Sequence, residues 1–192
     1  MLKANQQTIL ENEYFRNEEE RFEASILRNP LTTKQVFAQF GLMLGLFPPA
    51  AIFGKFAYEN ILRNPYNDDN WIILLMIFVN IVCTVTGYFS GKLIGNMVSQ
   101  VEKLSWGKML LILPFIGILW GIMTGGAGGL FIFVIGAFFG AMIASMVGGL
   151  ALPVFTIFHR LLKKGDFIER DLFLPIALGV TLIISALILG LK

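Results

Sequence analysis

Lys55 and Glu59 stand four residues apart near the end of a long apolar stretch, and Pro48-Pro49 interrupts the same stretch about two turns earlier. A spacing of four puts Lys55 and Glu59 on one face of a helix. The paired prolines remove two amide donors, so the helix is expected to bend or open between Leu46 and Ile52. A broken helix inside a membrane frees carbonyls that can line a solute or ion site. Together with the intramembrane amides Gln39 and Asn80, these residues make a candidate pathway or coupling set: Gln39, Pro48, Pro49, Lys55, Glu59 and Asn80. Each also has a plainer reading. Lys55 and Glu59 suit an interfacial pair in which the lysine stem snorkels. Gln39, Asn80, Thr84, Thr86 and Thr124 suit interhelical hydrogen bonds, worth roughly 0.5–2 kcal/mol each.

Little else in the chain could do chemistry. Met109 to Phe158 contains no Asp, Glu, Lys, Arg or His. Intramembrane ionisable groups mark most ion and proton pathways, so their scarcity argues against proton-coupled transport. His159 lies beside Arg160 at a span end and reads as an interfacial hydrogen-bonder rather than a metal or haem ligand. The lone Cys83 cannot form an intramolecular disulfide and reads as a small apolar residue. No HExxH, GxSxG, P-loop or CxxC pattern is present. The glycine run Gly125–Gly129 is not followed by the Lys-Ser/Thr that a phosphate loop requires. No catalytic residue, cofactor or metal site is expected, and the chain reads as non-enzymatic.

The stronger pattern concerns packing. Gly136, Gly140, Ala144 and Gly148 recur every four residues, and Gly87, Gly91 and Gly95 do the same upstream. Small residues at this spacing let two helix backbones approach closely in lipid, where dispersion and shape drive association. This glycine-zipper pattern makes the two sets candidate helix-packing faces, with the first two glycines of the upstream set the favoured partners of the downstream stripe.

The elements that must position these residues follow from composition. Hydrophobic residues make up 56% of the 192 and charged residues 15%, with a mean hydropathy of +0.72. A soluble domain is nearer a quarter charged. The fold class is an all-α integral membrane protein with about five transmembrane helices, at about 36–58, 71–92, 108–124, 130–158 and 172–191. The domains are a cytoplasmic amphipathic helical segment at 1–35 and the five-helix transmembrane domain at 36–192. Phe15, Phe22 and Ile26 share one face of the first segment. Thr32 with Gln35 forms a helix-start signal for span one. Trp71 is an interfacial anchor for span two. Gly125–Gly129 is expected to break the chain between spans three and four.

Twelve of the 15 Lys and Arg residues fall on one side of a five-span arrangement, leaving Lys55, Arg63 and Lys192 on the other. The positive-inside rule then places the N-terminus in the cytoplasm and the C-terminus outside, in a plasma (inner) membrane. The net charge of +2 gives no reason to expect nucleic acid as a partner. The expected partners are the lipid bilayer and other membrane protein chains or further copies of this one. The functional expectation is a non-catalytic polytopic subunit, an accessory or scaffold component of a membrane complex. The alternative is a small homo-oligomeric channel or transporter.

Overall fold

The computed structural model of the chain describes residues 29–59 and 70–190. Most of the segment read as amphipathic at 1–35, residues 60–69 and the last two residues lie outside that description. The chain enters on a short strand, β1 (Pro30–Thr32), followed by helix α1 (Thr33–Ala57), α2 (Asn70–Val101) and α3 (Trp106–Gly129). A single 3-10 turn at Leu130–Ile132 leads into α4 (Phe133–Leu162), then strand β2 (Phe167–Glu169) and α5 (Arg170–Leu189). The described residues are therefore overwhelmingly helical. Four stretches are long and apolar enough to cross a membrane: Thr33–Ala57, Trp71–Val101, Trp106–Leu162 and Arg170–Leu189. The third has 57 residues and folds back on itself as α3 and α4.

The start of α1 is built from its own sequence. Thr32 accepts from the Gln35 amide, and the Gln35 side chain accepts from the Thr32 amide at 3.0 Å, a closed capping box. The two short strands have no counterpart in the sequence expectations. Leu31 pairs with Ile168 in an antiparallel ribbon that ties the entry of α1 to the entry of α5.

Two antiparallel hairpins carry the fold. In the first, Gly41 of α1 meets Gly87 of α2, Gly45 meets Cys83, and Gly91 meets Phe37, backbone against backbone. In the second, Gly117, Gly121, Gly125 and Gly129 of α3 meet Gly148, Ala144, Gly140 and Gly136 of α4 in the same manner. A Cβ atom added at any of these glycines would run into the facing main chain. The span-four stripe thus faces α3, not α2. The reason is that α3 carries its own glycine at every fourth position, and a short connection makes it the antiparallel neighbour. The run Gly125–Gly129 is not a break: it is the last turn of α3, held helical by this contact. The reversal falls instead on the apolar residues that follow, where Phe133 takes φ 70°, a value that side-chain-bearing residues rarely adopt.

The expected opening at Pro48-Pro49 is also corrected, because α1 runs through both prolines as one helix. Pro49 has no N–H to offer the carbonyl four residues back. That carbonyl, on Gly45, accepts from the Thr84 hydroxyl of α2 at 3.3 Å. The same hydroxyl donates more closely to the Asn80 carbonyl of its own helix, at 2.7 Å, so the Gly45 carbonyl takes only the longer branch of a shared hydrogen bond.

The buried core lies between the hairpins toward the α1 entry, around Phe37, Phe40, Met109, Leu113, Phe155 and Phe173. The opposite faces carry Leu74, Phe89, Leu111, Phe115, Phe138 and Leu150, all more than half exposed. An apolar exterior this extensive suits a hydrocarbon solvent, not water.

Candidate functional site

Between the two hairpins lies a cleft of about 260 Å³. Its walls are α1 on one side and α4 on the other, with α3 behind and Val79 and Cys83 of α2 at the edge. Pro48, Pro49 and Leu44 line the α1 wall, and Gly140, Ile143 and Val147 line the α4 wall. Small residues create the space, because glycine and alanine leave the seam without side chains to fill it. The lining is almost wholly apolar. The Thr124 hydroxyl, the main polar group there, is already committed to the Trp120 and Gly121 carbonyls of its own helix, at 3.0 and 3.2 Å. Phe139 and Ile143, both in the lining, are also exposed on the outer surface, so the cleft opens sideways toward the apolar exterior.

An aromatic layer closes the cleft toward the α1 entry. Phe40 and Phe155 stack with ring centroids 3.9 Å apart and an interplanar angle of 16°. Phe37 abuts Phe155 edge-on at 5.3 Å, and Phe173 of α5 meets Phe155 from the other side at 5.9 Å. Trp120 completes the layer, and its indole N–H donates to Ser90 Oγ of α2 at 2.8 Å.

Below this layer lies an ion cluster that none of the sequence motifs indicated. Glu102 follows the last turn of α2 and is 4% exposed. His159, in the last turn of α4, is 2% exposed. An ionised carboxylate only accepts hydrogen bonds, so His159 Nδ1–H donates to Glu102 Oε1, at 2.6 Å. Lys163 Nζ donates to the other carboxylate oxygen at 2.7 Å, and its side chain is 20% exposed. Burial pushes the Glu102 carboxyl up, but His159 and Lys163 outweigh it and hold the group below the ordinary carboxylate range. Phe37 lies against the imidazole with ring centroids 5.2 Å apart. His159 Nε2 and, one turn away, Thr156 Oγ1 are buried without a hydrogen-bond partner. Arg160 turns elsewhere: its guanidinium sits 4.4 Å over the Trp106 ring and donates to Met109 Sδ at 3.2 Å.

The structure distributes the pathway set unevenly. Pro48 and Pro49 line the cleft. Gln39 is half-buried on α1. Lys55 and Glu59 are exposed beyond the cleft and do not pair with each other. Asn80 borders a separate hollow of about 210 Å³ between α1 and α2, with its side-chain oxygen buried and unpartnered. His159 is a hydrogen-bonder, but a buried one rather than interfacial. Sequence reasoning misses Glu102 and Lys163. The available signals are the four-residue spacing of His159 and Lys163, and the standing of Glu102 as the one acid between Asp69 and Asp166. Among the described residues no group of His, Cys, Asp and Glu could hold a metal ion. No protein-family model, curated protein or solved structure matches the chain, so function is read from this geometry.

Proposed function

We propose that this chain is a non-enzymatic membrane carrier that takes an acyl chain or similar apolar solute into the cleft between its two hairpins. It spans a plasma (inner) membrane five times, with its N-terminus cytoplasmic and its C-terminus outside. The carrying observation is the cleft itself: apolar, open sideways among lipid-facing residues, and closed at one end by stacked aromatics. A polar solute would find no free hydrogen-bonding group in the walls, and burying unpaired polar groups is costly. An acyl chain keeps apolar surroundings on leaving lipid for such a cleft and gives up only chain freedom. The docking-subunit reading has less support, because both glycine faces are engaged within the chain. Any complex would use other surfaces.

Binding of a fluorescent acyl probe to the protein in lipid nanodiscs tests the carrier reading. Ile143→Trp, at the half-exposed mouth, should fill the cleft and weaken probe binding while leaving the melting temperature near that of the parent. Probe binding that is equal in the parent and in Ile143→Trp would refute it. Native mass spectrometry would favour the subunit reading if unrelated chains co-purified in fixed ratio. Reporter fusions after residues 35, 100 and 165 should read as cytoplasmic, and fusions near 66 and at 192 as external. A cytoplasmic C-terminus would overturn the five-span arrangement.

A further inference from the structure

We infer that Lys55 and Glu59 bind the headgroup of the solute whose tail enters the cleft, and that this solute is a zwitterionic phospholipid, with its phosphate on Lys55 and its ammonium on Glu59. The inference rests on the carrier reading and names its cargo.

Spacing places the two charges first. The α1 residues lining the cleft include Gly41, Gly45, Pro48 and Ile52, at alternating steps of four and three. The next two steps fall on Lys55 and Glu59, and helical geometry continues through Glu59. Such steps keep to one helix face, so both charges stand in line with the cleft wall. Burial falls along that line. Gly41, Gly45 and Pro48 are buried, Ile52 is half-buried, and Lys55 and Glu59 are exposed. The cleft is thus closed at Gly41, against the Trp120 ring, and open at the Lys55 end. Helical side chains tilt toward the N-terminus, which turns both groups back toward the mouth.

The second hairpin leaves that mouth uncovered. Ile132, in the α3–α4 reversal, lines the same cleft as Ile52 and Phe53, while α1 runs on to Ala57. Residues 125–135 carry no polar side chain. Among the described residues, Lys55 and Glu59 are the charged groups at the open end. The other described Lys, Arg, Asp and Glu residues lie at Lys34, at Lys92 and in segments 102–108 and 160–171, all toward the closed end.

Dimensions fit a lipid. Gly41 and Phe53 stand about 18 Å apart along α1 at 1.5 Å per residue. One leaflet, half of a ~30 Å hydrocarbon core, is of similar depth. The cleft therefore takes one tail lengthwise, and its sideways opening leaves a second tail in lipid. Glu59 lies about 6 Å beyond Lys55 along the axis, and a headgroup layer is about 5–7 Å deep on each face. In such a headgroup the phosphate lies next to the tails and the amine beyond it, the order in which Lys55 and Glu59 follow the mouth. A lone anion fits less well, because Glu59 repels what Lys55 attracts. Lys55 and Glu59 do not pair with each other, and an exposed pair at this spacing would offer little to give up.

The test is equilibrium binding of three probes that share one fluorescent tail, phosphatidylethanolamine, phosphatidylglycerol and diacylglycerol, to the full chain in mild detergent. The parent should bind the phosphatidylethanolamine probe several-fold tighter than either other probe. Lys55→Met, which keeps the stem and removes the charge, should bring that probe down to the diacylglycerol level. Glu59→Gln should erase the preference over phosphatidylglycerol. The double swap Lys55→Glu with Glu59→Lys keeps net charge and spacing but reverses their order, so it should not restore the parent's preference. All these side chains are exposed, so melting temperatures should stay near the parent's. A parent that prefers phosphatidylglycerol, or a swap that binds like the parent, overturns the inference. Equal binding of all three probes that Ile143→Trp still weakens would also overturn it and leave the carrier reading standing. Binding of no probe at all would sink both.

Discussion

At the cleft, α3 and α4 meet main chain to main chain through Gly121, Gly125 and Gly129, whereas at the closed end Glu102, His159 and Lys163 meet through polar side chains. The first contact is extended, tolerant of lipid and made of many weak dispersion terms. The second is small, directional and dependent on charge. The difference is one of kind: close backbone contact joins the helices within each hairpin, whereas large side chains and a few polar groups join the hairpins to each other. Rigidity comes from seams that only a small residue can close. Between the hairpins, stacked rings and one buried ion cluster make the contact.

The sharpest way to break this comparison is to remove the charge. Glu102→Ala should lower stability by about 3 kcal/mol, the low end for loss of one member of a buried pair, because Lys163 can turn to solvent. Thermal melting in mild detergent measures it, and a loss near zero would mean that the cluster contributes nothing to holding the hairpins. Gly121→Leu attacks the other region. A side chain there collides with the Ala144 and Ser145 main chain, which cannot yield as a flexible side chain would. The expected loss is about 1–3 kcal/mol or more. Wild-type melting and yield would show that the seam can part without consequence.

Acid should separate the two regions without mutation. Glu102 titrates below its ordinary range in the folded protein. Its contribution is therefore complete above the unfolded-state pKa and is lost as pH falls through the lower folded value. Melting temperature should drop along that acid limb in the parent, and this component should be missing in Glu102→Gln, whereas Gly121→Leu should keep it. A smaller effect is expected at Ser90→Ala, which strands the buried Trp120 indole N–H. About 1 kcal/mol is the expected loss, and indole fluorescence should report the changed environment. Gly179→Ala on α5 should be close to neutral, since nothing lies within 4 Å of a Cβ there. A marked loss at that position would show that glycine spacing alone misleads about which faces pack.

Much of the fold was legible because local physics sets it. The Thr32–Gln35 capping box needs only residues three apart, and it forms. Apolar runs longer than a bilayer's hydrocarbon core announce helices whatever lies beside them. The departures share one cause. Gly125–Gly129 looks like a break because isolated glycine disfavours helix by about 1 kcal/mol per residue. Close contact with α4 overrides that local preference. Pro48-Pro49 looks like an opening, yet the helix runs through both prolines beside the backbone contact that Gly41 and Gly45 make with the next helix. The candidate site was the least legible part, for Glu102 and His159 are 57 residues apart in sequence.

The sequence by itself determined that the chain is helical, apolar and built of long segments, because helix formation, capping and transfer to hydrocarbon depend on a residue and its near neighbours. It also determined that close contacts would form, since glycine every fourth residue leaves a bare groove. Only the tertiary structure decided which grooves meet, where the seams leave a cleft, and which lone acid finds a histidine and a lysine. Those outcomes depend on volumes and charges contributed by different helices, and no local spacing encodes a match between surfaces that the chain has not yet brought together.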